Sequence, residues 1–449
     1  MRKPVTLVFV LCLVAAPVAF ADSYLVLFKG NGVPSGFASQ VASLGGTVTS
    51  QHDAGIAAVS GIGALGAAAL RGNSQVQSVE PDETISLAPQ GVLIGDDARV
   101  SNVQMASPFN PAAAFFFPRQ WHLRAIGAQI GWAAGRRGSA GVTVAVLDTG
   151  IDYLHADLNG RVDLSRSVSF VPSDDAIVAA LFPTRHPVTD LNYHGTHVAA
   201  TVSSNALAAA GVTSQVTLIG VKVLDVNGSG TFDGVLSGVL WAADHGADVI
   251  NLSLGADFPR AHNGNLIAFI TRVFNYADRK GVTVVVAAGN DAIDLDHDAN
   301  NFNALCNVPN VVCVAATGPT ATAGINGPWT DVDAPAFFTN FGRSAISVAG
   351  PGGNFGPGGS SFVWEACSSS SLVIPFCQTG TFVIGVIGTS QATPHVAGLA
   401  ALIVEDVGHG KPSQVKARLR QSADDLGPNG TDPFYGKGRI NVPRAEGLQ

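Results

Sequence analysis

The chain has 449 residues and a net charge of −8, and only 13% of its residues are charged. This length is enough for one large core and a smaller accessory domain. The acidic balance, without a basic patch, argues against nucleic acid as a partner, because binding the phosphate backbone requires clustered lysine and arginine.

The N-terminus has the pattern of an export signal. Arg2 and Lys3 precede an apolar run over residues 5–20, and Ala19-Phe20-Ala21 has the small-x-small form of a signal-peptidase site. The run is about 16 residues long, fewer than the ~20 that a helix needs to span a bilayer. We therefore predict a signal peptide over residues 1–21, secretion to the periplasm or the medium, and no stable membrane anchor.

Residues 22–88 are predicted to form a small α+β domain. Apolar alternation and helical spacing predict the β-α-β-β-α-β order of ferredoxin-like folds. The predicted strands are residues 24–28, 46–51, 55–59 and 76–79, and the predicted helices are residues 34–44 and 65–71. Residues 89–119 lack this periodicity and are rich in Pro, Asn, Gly and Ala, which is typical of a linker.

From residue 120 to residue 449, short apolar strands alternate with helices. This alternation predicts a mostly parallel central sheet covered on both faces, which is a three-layer α/β/α fold. The predicted strands are residues 142–147, 215–223, 248–252, 282–287 and 311–315, and the predicted helices are residues 194–204, 232–245, 266–280 and one that starts near Ser390. Residues 170–187 and 350–377 are expected to be surface loops.

Three short segments supply the groups that nucleophilic catalysis requires. They are Asp148-Thr-Gly, His194-Gly-Thr-His-Val and Gly388-Thr-Ser390-Gln-Ala-Thr-Pro-His-Val-Ala-Gly. A serine hydroxyl needs a base within hydrogen-bond reach, and the base needs an anion that fixes its tautomer. The order Asp, His, Ser excludes the α/β-hydrolase order, in which the serine comes first. A serine hydrolase is therefore the leading hypothesis.

In sequence and order, these segments resemble the signatures of the subtilisin family of serine proteases, the subtilases. The resemblance extends from about residue 121 to residue 441. It implies a subtilisin-like endopeptidase that hydrolyses polypeptides through an acyl-enzyme on Ser390 and needs no cofactor for its chemistry. We expect a monomer.

Residues 22–88 resemble the inhibitor-type prosegment of secreted subtilases, including the closing Val79-Glu80-Pro81-Asp82. By that resemblance, this domain would assist folding of the catalytic domain, cover its cleft and be removed by self-cleavage within the linker. The alternative is a permanent N-terminal domain.

The expected catalytic roles follow from position and from the resemblance. Ser390 begins a helix, where free backbone N–H groups face negative charge. His194 would accept the Ser390 proton and return it to the leaving amine, while Asp148 holds the other ring nitrogen. By resemblance, Asn290 supplies a second donor to the oxyanion.

Substrate binding is expected along the edge formed by Ser253-Leu254-Gly255, which ends another predicted strand. In the family this edge pairs with an extended substrate backbone, so that main-chain hydrogen bonds supply much of the binding. One side-chain pocket would form between this stretch and Ala287-Ala288-Gly289.

Two alternative functions remain open from the residues. His194 and His197 lie three apart on a predicted helix and could bind a metal in a metal-dependent hydrolase, although Gly195 occupies the position of the zincin glutamate. A catalytically silent binding protein with the same fold is the other alternative.

Two positions depart from the family pattern: Gln391 replaces a Met, and Ala200 replaces a Gly.

Four cysteines follow the signal peptide, an even number in an exported chain, which predicts two disulfides. Four cysteines allow three connectivities. The favoured one joins neighbours, Cys306 with Cys313 and Cys367 with Cys377, because each pair lies in one Gly/Pro/Asn-rich stretch.

Structural calcium is a further expectation from the resemblance. Asp157 matches a calcium-ligating carboxylate of many relatives, but the loop over residues 205–211 offers few side-chain oxygens. At a second family site Ser347 stands in place of an aspartate. The acidic run Asp294-Leu-Asp296-His-Asp298 is another candidate cation site, or alternatively a solvated loop.

Overall fold

The computed structural model describes residues 23–87, 91–93, 99–100, 110–255, 257–259, 264–298 and 301–448. The predicted signal peptide and most of the predicted linker lie outside these ranges. Across the ranges described, no helix combines the length and the apolar character needed to cross a bilayer.

The N-terminal unit has the predicted β-α-β-β-α-β order. Its elements are β1 (Ser23–Phe28), α1 (Phe37–Ser43), β2 (Thr47–His52), β3 (Ile56–Ser60), α2 (Gly63–Arg71) and β4 (Val76–Pro81). The strands form an antiparallel sheet in the order β2-β3-β1-β4. Along β1, Val26 and Phe28 pack into this unit's own core, whereas Leu25 and Leu27 pack against the large domain. Both faces of β1 are therefore buried.

Short elements lead from this unit into the large domain. They are β5 (Thr84–Ser86), β6 (Val92–Leu93), β7 (Arg99–Val100), α3 (Trp121–Ala125) and α4 (Ala128–Ala133). Residues 110–119, which the sequence placed in the linker, pack into the large core instead. Phe116 is 2% exposed and stacks on Trp364, and its N–H donates to the Ala208 carbonyl. Burial of this aromatic side chain explains why the core begins before residue 120.

The remaining elements follow in chain order. The strands are β8 (Thr143–Asp148), β9 (Val168–Ser169), β10 (Thr217–Lys222), β11 (Ser229–Thr231), β12 (Val249–Leu252), β13 (Asp257–Pro259), β14 (Thr283–Ala287), β15 (Asn301–Asn303), β16 (Val311–Thr317), β17 (Ala321–Thr322), β18 (Trp329–Thr330), β19 (Val348–Pro351), β20 (Val363–Ala366) and β21 (Thr381–Val386). The helices are α5 (Pro172–Leu181), α6 (His194–Val202), α7 (Phe232–Asp244), α8 (Gly264–Arg279), α9 (Thr389–Val407), α10 (Pro412–Gln421) and α11 (Val442–Ala445).

A seven-stranded parallel sheet in the order β19-β16-β14-β12-β8-β10-β9 forms the centre of the large domain. Alternate residues of each strand face opposite helical layers. In β8, Val144 and Val146 join the core that includes α6 and α9, whereas Ala145 and Leu147 join the core that includes α7 and α8. The predicted three-layer α/β/α fold is confirmed.

The two stretches expected as surface loops are more ordered than predicted. Residues 170–187 contain α5, and Asp174 in its first turn forms a buried ion pair of 2.6 Å with Lys222. Residues 350–377 contain β20, which forms an antiparallel hairpin with β21. On the edge that faces away from β20, β21 pairs with β6 and β7.

The four cysteines form the two disulfides between sequence neighbours, Cys306–Cys313 and Cys367–Cys377. The first joins the segment before β16 to β16 itself. The second closes the loop between β20 and β21 and lies in a small apolar cluster with Tyr193 and Val92. The favoured connectivity is therefore the one in the structure.

Candidate active site

The carboxyl ends of neighbouring parallel strands bring the predicted groups to one edge of the sheet. Asp148 ends β8, and Ser253 follows Leu252 of β12, which is paired with Leu147. Asn290 follows β14, the next strand along. This edge is where sites form in open α/β sheets.

Asp148 and His194 are joined by a hydrogen bond of 2.8 Å between a carboxylate oxygen and Nδ1 of the imidazole. Both side chains are fully buried. The same carboxylate oxygen accepts the N–H of Thr149 at 2.7 Å. Gly195 allows the helix to approach β8 this closely, since a Cβ there would lie 2.1 Å from the Gly150 carbonyl oxygen. The aspartate is thus placed to fix one tautomer of the histidine.

Asp190 is a supporting residue that the sequence analysis missed. Its buried carboxylate accepts hydrogen bonds from the Thr149 hydroxyl at 2.9 Å and from the Thr196 hydroxyl at 2.6 Å. These threonines stand next to Asp148 and two residues after His194, so Asp190 ties both segments together. Burial, partly offset by the hydrogen bonds from Thr196 and by the charge of Lys222, raises the pKa of Asp190 to about 6. In the sequence, the one feature that could have identified Asp190 as a supporting residue is its position four residues before His194.

Ser390 is the second residue of α9 and is 4% exposed. Its hydroxyl donates to the Ser253 carbonyl at 2.9 Å, and the Ser253 hydroxyl donates to the Ser390 carbonyl at 2.8 Å. Pro394 explains the second bond. Because proline has no N–H, the Ser390 carbonyl lacks its usual helical donor, and the Ser253 hydroxyl takes that place.

Asn290 is fixed to the start of α9. Its side-chain carbonyl accepts the Thr389 N–H at 2.8 Å and the Thr389 hydroxyl at 2.9 Å. Its amide nitrogen lies beside Gly388, where a Cβ would be 3.4 Å from it. The acceptor end of the amide is therefore anchored, and the donor end lies next to the residues that precede Ser390.

A cleft of about 350 Å³ runs past Ser390. Of the predicted substrate residues, Leu254, Gly255, Ala287 and Gly289 line it, together with Asn290. Ser253 and Ala288 do not: Ser253 is bonded to Ser390, and the Ala288 carbonyl accepts from Asn340 at 2.9 Å beneath the surface. The rest of the lining comes from the N-terminal part of the chain, residues 84–87, and from Phe258, Asp291 and Thr389.

The two histidines of the metal alternative do not converge. His194 is bonded to Asp148, whereas Nε2 of buried His197 lies 3.1 Å from the Val363 carbonyl. Burial and the neighbouring His194 lower the pKa of His197 to about 3, so it is neutral and structural. In the part of the chain that the structure describes, no three His, Cys, Asp or Glu side chains are grouped as a metal site.

Asp157 does not fit a calcium ligand in this chain. It is fully buried, and its two carboxylate oxygens accept the N–H groups of Leu207, Ala208 and Ala209 at 2.8–3.0 Å. The loop over residues 205–211 is thus held by direct hydrogen bonds to the carboxylate. These amides present N–H groups to the place where a cation would need oxygens.

The other candidate cation sites are also occupied by protein groups. The Ser347 hydroxyl accepts from the Arg420 guanidinium at 3.0 Å, which puts a positive charge at the second family site. Asp294 is bonded to His297 at 2.7 Å, and Asp296 accepts from the N–H and the hydroxyl of Ser344. The acidic run is therefore a hydrogen-bonded surface turn rather than a converging set of ligands.

Gln391, which stands where the family has Met, is fully buried beside Ser390. Neither polar atom of its side chain has a hydrogen-bond partner among the described residues. A buried amide without partners costs about 1–3 kcal/mol, and Met has a similar unbranched shape. Ala200, the other departure from the pattern, lies in the apolar core between α6 and α9.

We expect Gln391→Met to raise the free energy of unfolding by about 1–3 kcal/mol, because it removes the unpaired buried amide. Chemical denaturation of the Ser390→Ala protein with and without this change measures the effect. Gln414→Met, at an exposed position of α10, is the matched control and should change stability by less than about 0.5 kcal/mol. Equal effects of the two substitutions would contradict the prediction.

Comparison with known proteins agrees with this geometry. Residues 139–438 match the Subtilase family. The chain is 34% identical over 309 residues to a thermophilic serine proteinase of Bacillus sp. (strain AK1), a match that covers 68% of this chain and 61% of that protein. It is 31% identical over 340 residues to thermitase of Thermoactinomyces vulgaris, covering 75% of this chain and 99% of thermitase.

Solved structures share the fold. The epidermin leader peptide processing serine protease of Staphylococcus aureus superposes with a TM-score of 0.70 at 22% identity, covering 94% of this chain and 97% of that one. Fervidolysin of Fervidobacterium pennivorans gives a TM-score of 0.67 at 24% identity, over 95% of this chain and 61% of its own. Because the family match covers two thirds of its residues, this chain belongs to the subtilase family of serine endopeptidases.

Proposed function

We propose that this subtilase hydrolyses peptide bonds through an acyl-enzyme on Ser390, with His194 as the base and Asp148 as its partner. The observation that carries the proposal is the buried 2.8 Å bond between Asp148 and His194 at the sheet edge where α9 begins. Ser390 is bonded to the neighbouring Ser253 at this same edge.

In the proposed reaction, the Ser390 hydroxyl turns from the Ser253 carbonyl to Nε2 of His194, the ring nitrogen that is not bonded to Asp148. His194 takes the hydroxyl proton as the oxygen attacks the substrate carbonyl carbon, and it gives this proton to the amine that leaves. Water then attacks the ester by the same route and regenerates Ser390. Asp148 stabilises the imidazolium at both stages.

Negative charge on the substrate oxygen would be stabilised by two donors, the Ser390 N–H and the side-chain amide of Asn290. Support for this role comes from the two hydrogen bonds that fix the acceptor end of Asn290 to Thr389. With that end anchored, the amide N–H groups are the ones available to a ligand. The N-terminus of α9 adds its favourable dipole.

We further propose that the protein is a secreted zymogen and that residues 22–88 are its inhibitory prosegment. Support comes from β5, which pairs antiparallel with β11, with Ile85 opposite Gly230, and from Leu87, whose N–H donates to the Gly228 carbonyl at 2.8 Å. Residues 84–87 thereby line the cleft beside Ser390. An extended chain in this position blocks other polypeptides.

The function is tested by labelling the full chain with a serine-directed phosphonate and mapping the modified peptide. We expect modification at Ser390 and none in the Ser390→Ala variant, because only an activated serine reacts at a useful rate. An intact fold with neither labelling nor peptide hydrolysis would favour the silent binding protein. Hydrolysis abolished by zinc chelators but insensitive to the phosphonate would overturn the serine mechanism.

We predict that the first maturation cut falls between Leu87 and Gly91. Leu87 lies in the cleft on one side of Ser390, and the Gly91 carbonyl accepts the N–H of Ile387, three residues before Ser390 on the other side, at 3.2 Å. Intact-mass analysis and N-terminal sequencing of the processed chain identify the bond. A first cut after residue 100 would contradict this assignment, and the Ser390→Ala chain should remain uncut.

A further inference from the structure

The edge strand β11 is carried by a rigid turn, residues 225–229, which we name the edge turn. The Asp225 N–H donates to the Ser229 carbonyl at 2.7 Å, and the Asp225 carboxylate accepts the N–H groups of Asn227 and Ser229 at 2.8 and 2.9 Å. Gly228 takes the left-handed conformation that such a turn needs, with a φ of 76°. Because the turn is bonded internally, it moves as a unit and carries β11 with it.

Strand β11 borders the cleft. It pairs with β5, and residues 84–87, which include β5, line the cleft beside Ser390. An extended polypeptide in the place of residues 84–86 would form the same kind of main-chain hydrogen bonds with β11. The position of the edge turn therefore decides how such a chain is aligned with Ser390.

The edge turn is attached to both catalytic segments. Just before the turn, the N–H groups of residues 223–224 donate to the Asp148 carbonyl at 2.9 and 3.2 Å. Within the turn, the Val226 carbonyl accepts the side-chain amide of Asn192 at 2.8 Å. The side-chain oxygen of Asn192 in turn accepts the His194 N–H at 3.2 Å. The edge turn is thus tied to the aspartate on one side and to the histidine on the other.

A third attachment comes from α5, in the stretch between the two catalytic segments. One carboxylate oxygen of Asp174 accepts the Val226 N–H at 3.3 Å, and the other forms the 2.6 Å ion pair with Lys222. Lys222 ends β10 and also donates to the Thr189 carbonyl at 2.9 Å. Asp174 and Lys222 are 1% and 0% exposed. Asp174 therefore holds the edge turn from within the protein.

The use of a buried carboxylate at this position calls for an explanation. A buried ion pair is often no more stabilising than two apolar residues of the same size, so stability alone does not account for it. A carboxylate has two acceptor oxygens, whereas the amide of asparagine has one. Asp174 can therefore bind the Lys222 ammonium and the Val226 N–H at the same time.

We propose that Asp174 is a positioning residue that fixes β11 relative to His194 and so aligns long polypeptide substrates with Ser390. It acts through the edge turn and contacts none of the reacting groups. By this assignment, α5 determines how efficiently the enzyme uses the substrate residues that precede the cleaved bond. The proposal rests on the serine endopeptidase function proposed above.

The test compares two acetylated peptide nitroanilides, in which the leaving group fixes the bond that is cut. The long peptide has the sequence of residues 84–88, and the short peptide has that of residues 87–88. Only the long peptide contains the residues that pair with β11. Steady-state kinetics of the processed enzymes give kcat and KM for each peptide.

Two double variants separate the attachment of the edge turn from the ion pair. Both carry Lys222→Met, so that neither has the ion pair, and they differ only at residue 174. Asp174→Asn leaves one oxygen to accept the Val226 N–H, whereas Asp174→Leu, of similar size, leaves none. For the long peptide, we expect kcat/KM to be about tenfold lower in the leucine variant than in the asparagine variant, mainly through kcat. For the short peptide, the two variants should agree within twofold.

A rescue experiment gives a second measurement that does not depend on the leucine variant. In Asp174→Asn alone, the Lys222 ammonium takes the amide oxygen and the Val226 N–H loses its acceptor, so the long peptide should again lose about tenfold in kcat/KM. Adding Lys222→Met should restore the long peptide while the short one stays unchanged. Asp175→Asn, the same change at the next residue of α5, is the matched control and should leave both peptides within twofold of wild type.

The results that would overturn the role of Asp174 are distinct from those that would overturn the proposed function. Equal kcat/KM values for the long peptide in the two double variants, or equal losses for the long and short peptides, would show that Asp174 is only structural. Hydrolysis of neither peptide by the wild-type enzyme, together with no phosphonate labelling of Ser390, would overturn the endopeptidase function itself.

Discussion

Replacing Ser390 with alanine should lower kcat for peptide hydrolysis by about 10⁶-fold, the order of loss known for the nucleophile of subtilisin itself. The variant loses the only oxygen at this position that can form the ester, whereas the Asp148–His194 pair and Asn290 remain in place. Residual hydrolysis should come from binding and from the oxyanion donors alone.

Single-turnover and steady-state kinetics with one quenched peptide measure this loss. Ser413→Ala removes an exposed serine hydroxyl from α10 and is the matched control, with no change in kcat expected. The Ser390→Ala chain should also keep residues 22–88 attached. A variant that retains more than a hundredth of the wild-type rate would show that another nucleophile is used.

Replacing Asp148 with asparagine should lower kcat by about 10⁴-fold, again a magnitude established for catalytic triads of this kind. The asparagine amide can donate to Nδ1 of His194 and thereby hold the ring in the tautomer that presents a proton, not a lone pair, to Ser390. The buried site offers no solvent to replace the lost charge, since Asp148 and His194 are both fully buried.

Asp190→Asn is the informative comparison for this second prediction. Asp190 holds the threonines beside Asp148 and His194 but touches neither reacting group, so its loss should affect kcat less and thermal stability more. Kinetics of the two variants after processing by the wild-type enzyme, and thermal unfolding of their precursors, separate the roles. Equal losses of kcat would contradict a special role for Asp148.

The sequence predicted the fold well because local patterns encode it, and it predicted the catalytic groups from short segments. Short and nearly continuous apolar strands such as residues 282–287 are typical of a parallel sheet covered on both faces. The serine, histidine and aspartate are recognisable because each lies in a short segment whose neighbouring residues are restricted by close packing. Gly195, for example, is required by the close approach of α6 to β8.

Features that depend on distant contacts could not be predicted in this way. Asp157 has the residue type of a calcium ligand, and only the fold reveals that three amides of residues 207–209 use its oxygens. The aromatic residues near position 116 carry no helical or strand period, so their burial against Trp364 was invisible in the sequence. The pairing of residues 92–93 with β21 joins segments almost 300 positions apart.

The two-sided burial of β1 has a consequence for the timing of activation. Once cut, residues 22–88 can leave only by carrying Leu25, Leu27 and Ile56 from the shared core into water. A small domain whose apolar face has become exposed to water is poorly stable alone. Once this domain unfolds, its chain is a substrate for the protease that released it. We therefore expect the proposed inhibitor to be digested faster than it can rebind, so that the proposed activation would be irreversible and would spread from the first processed molecule to the rest.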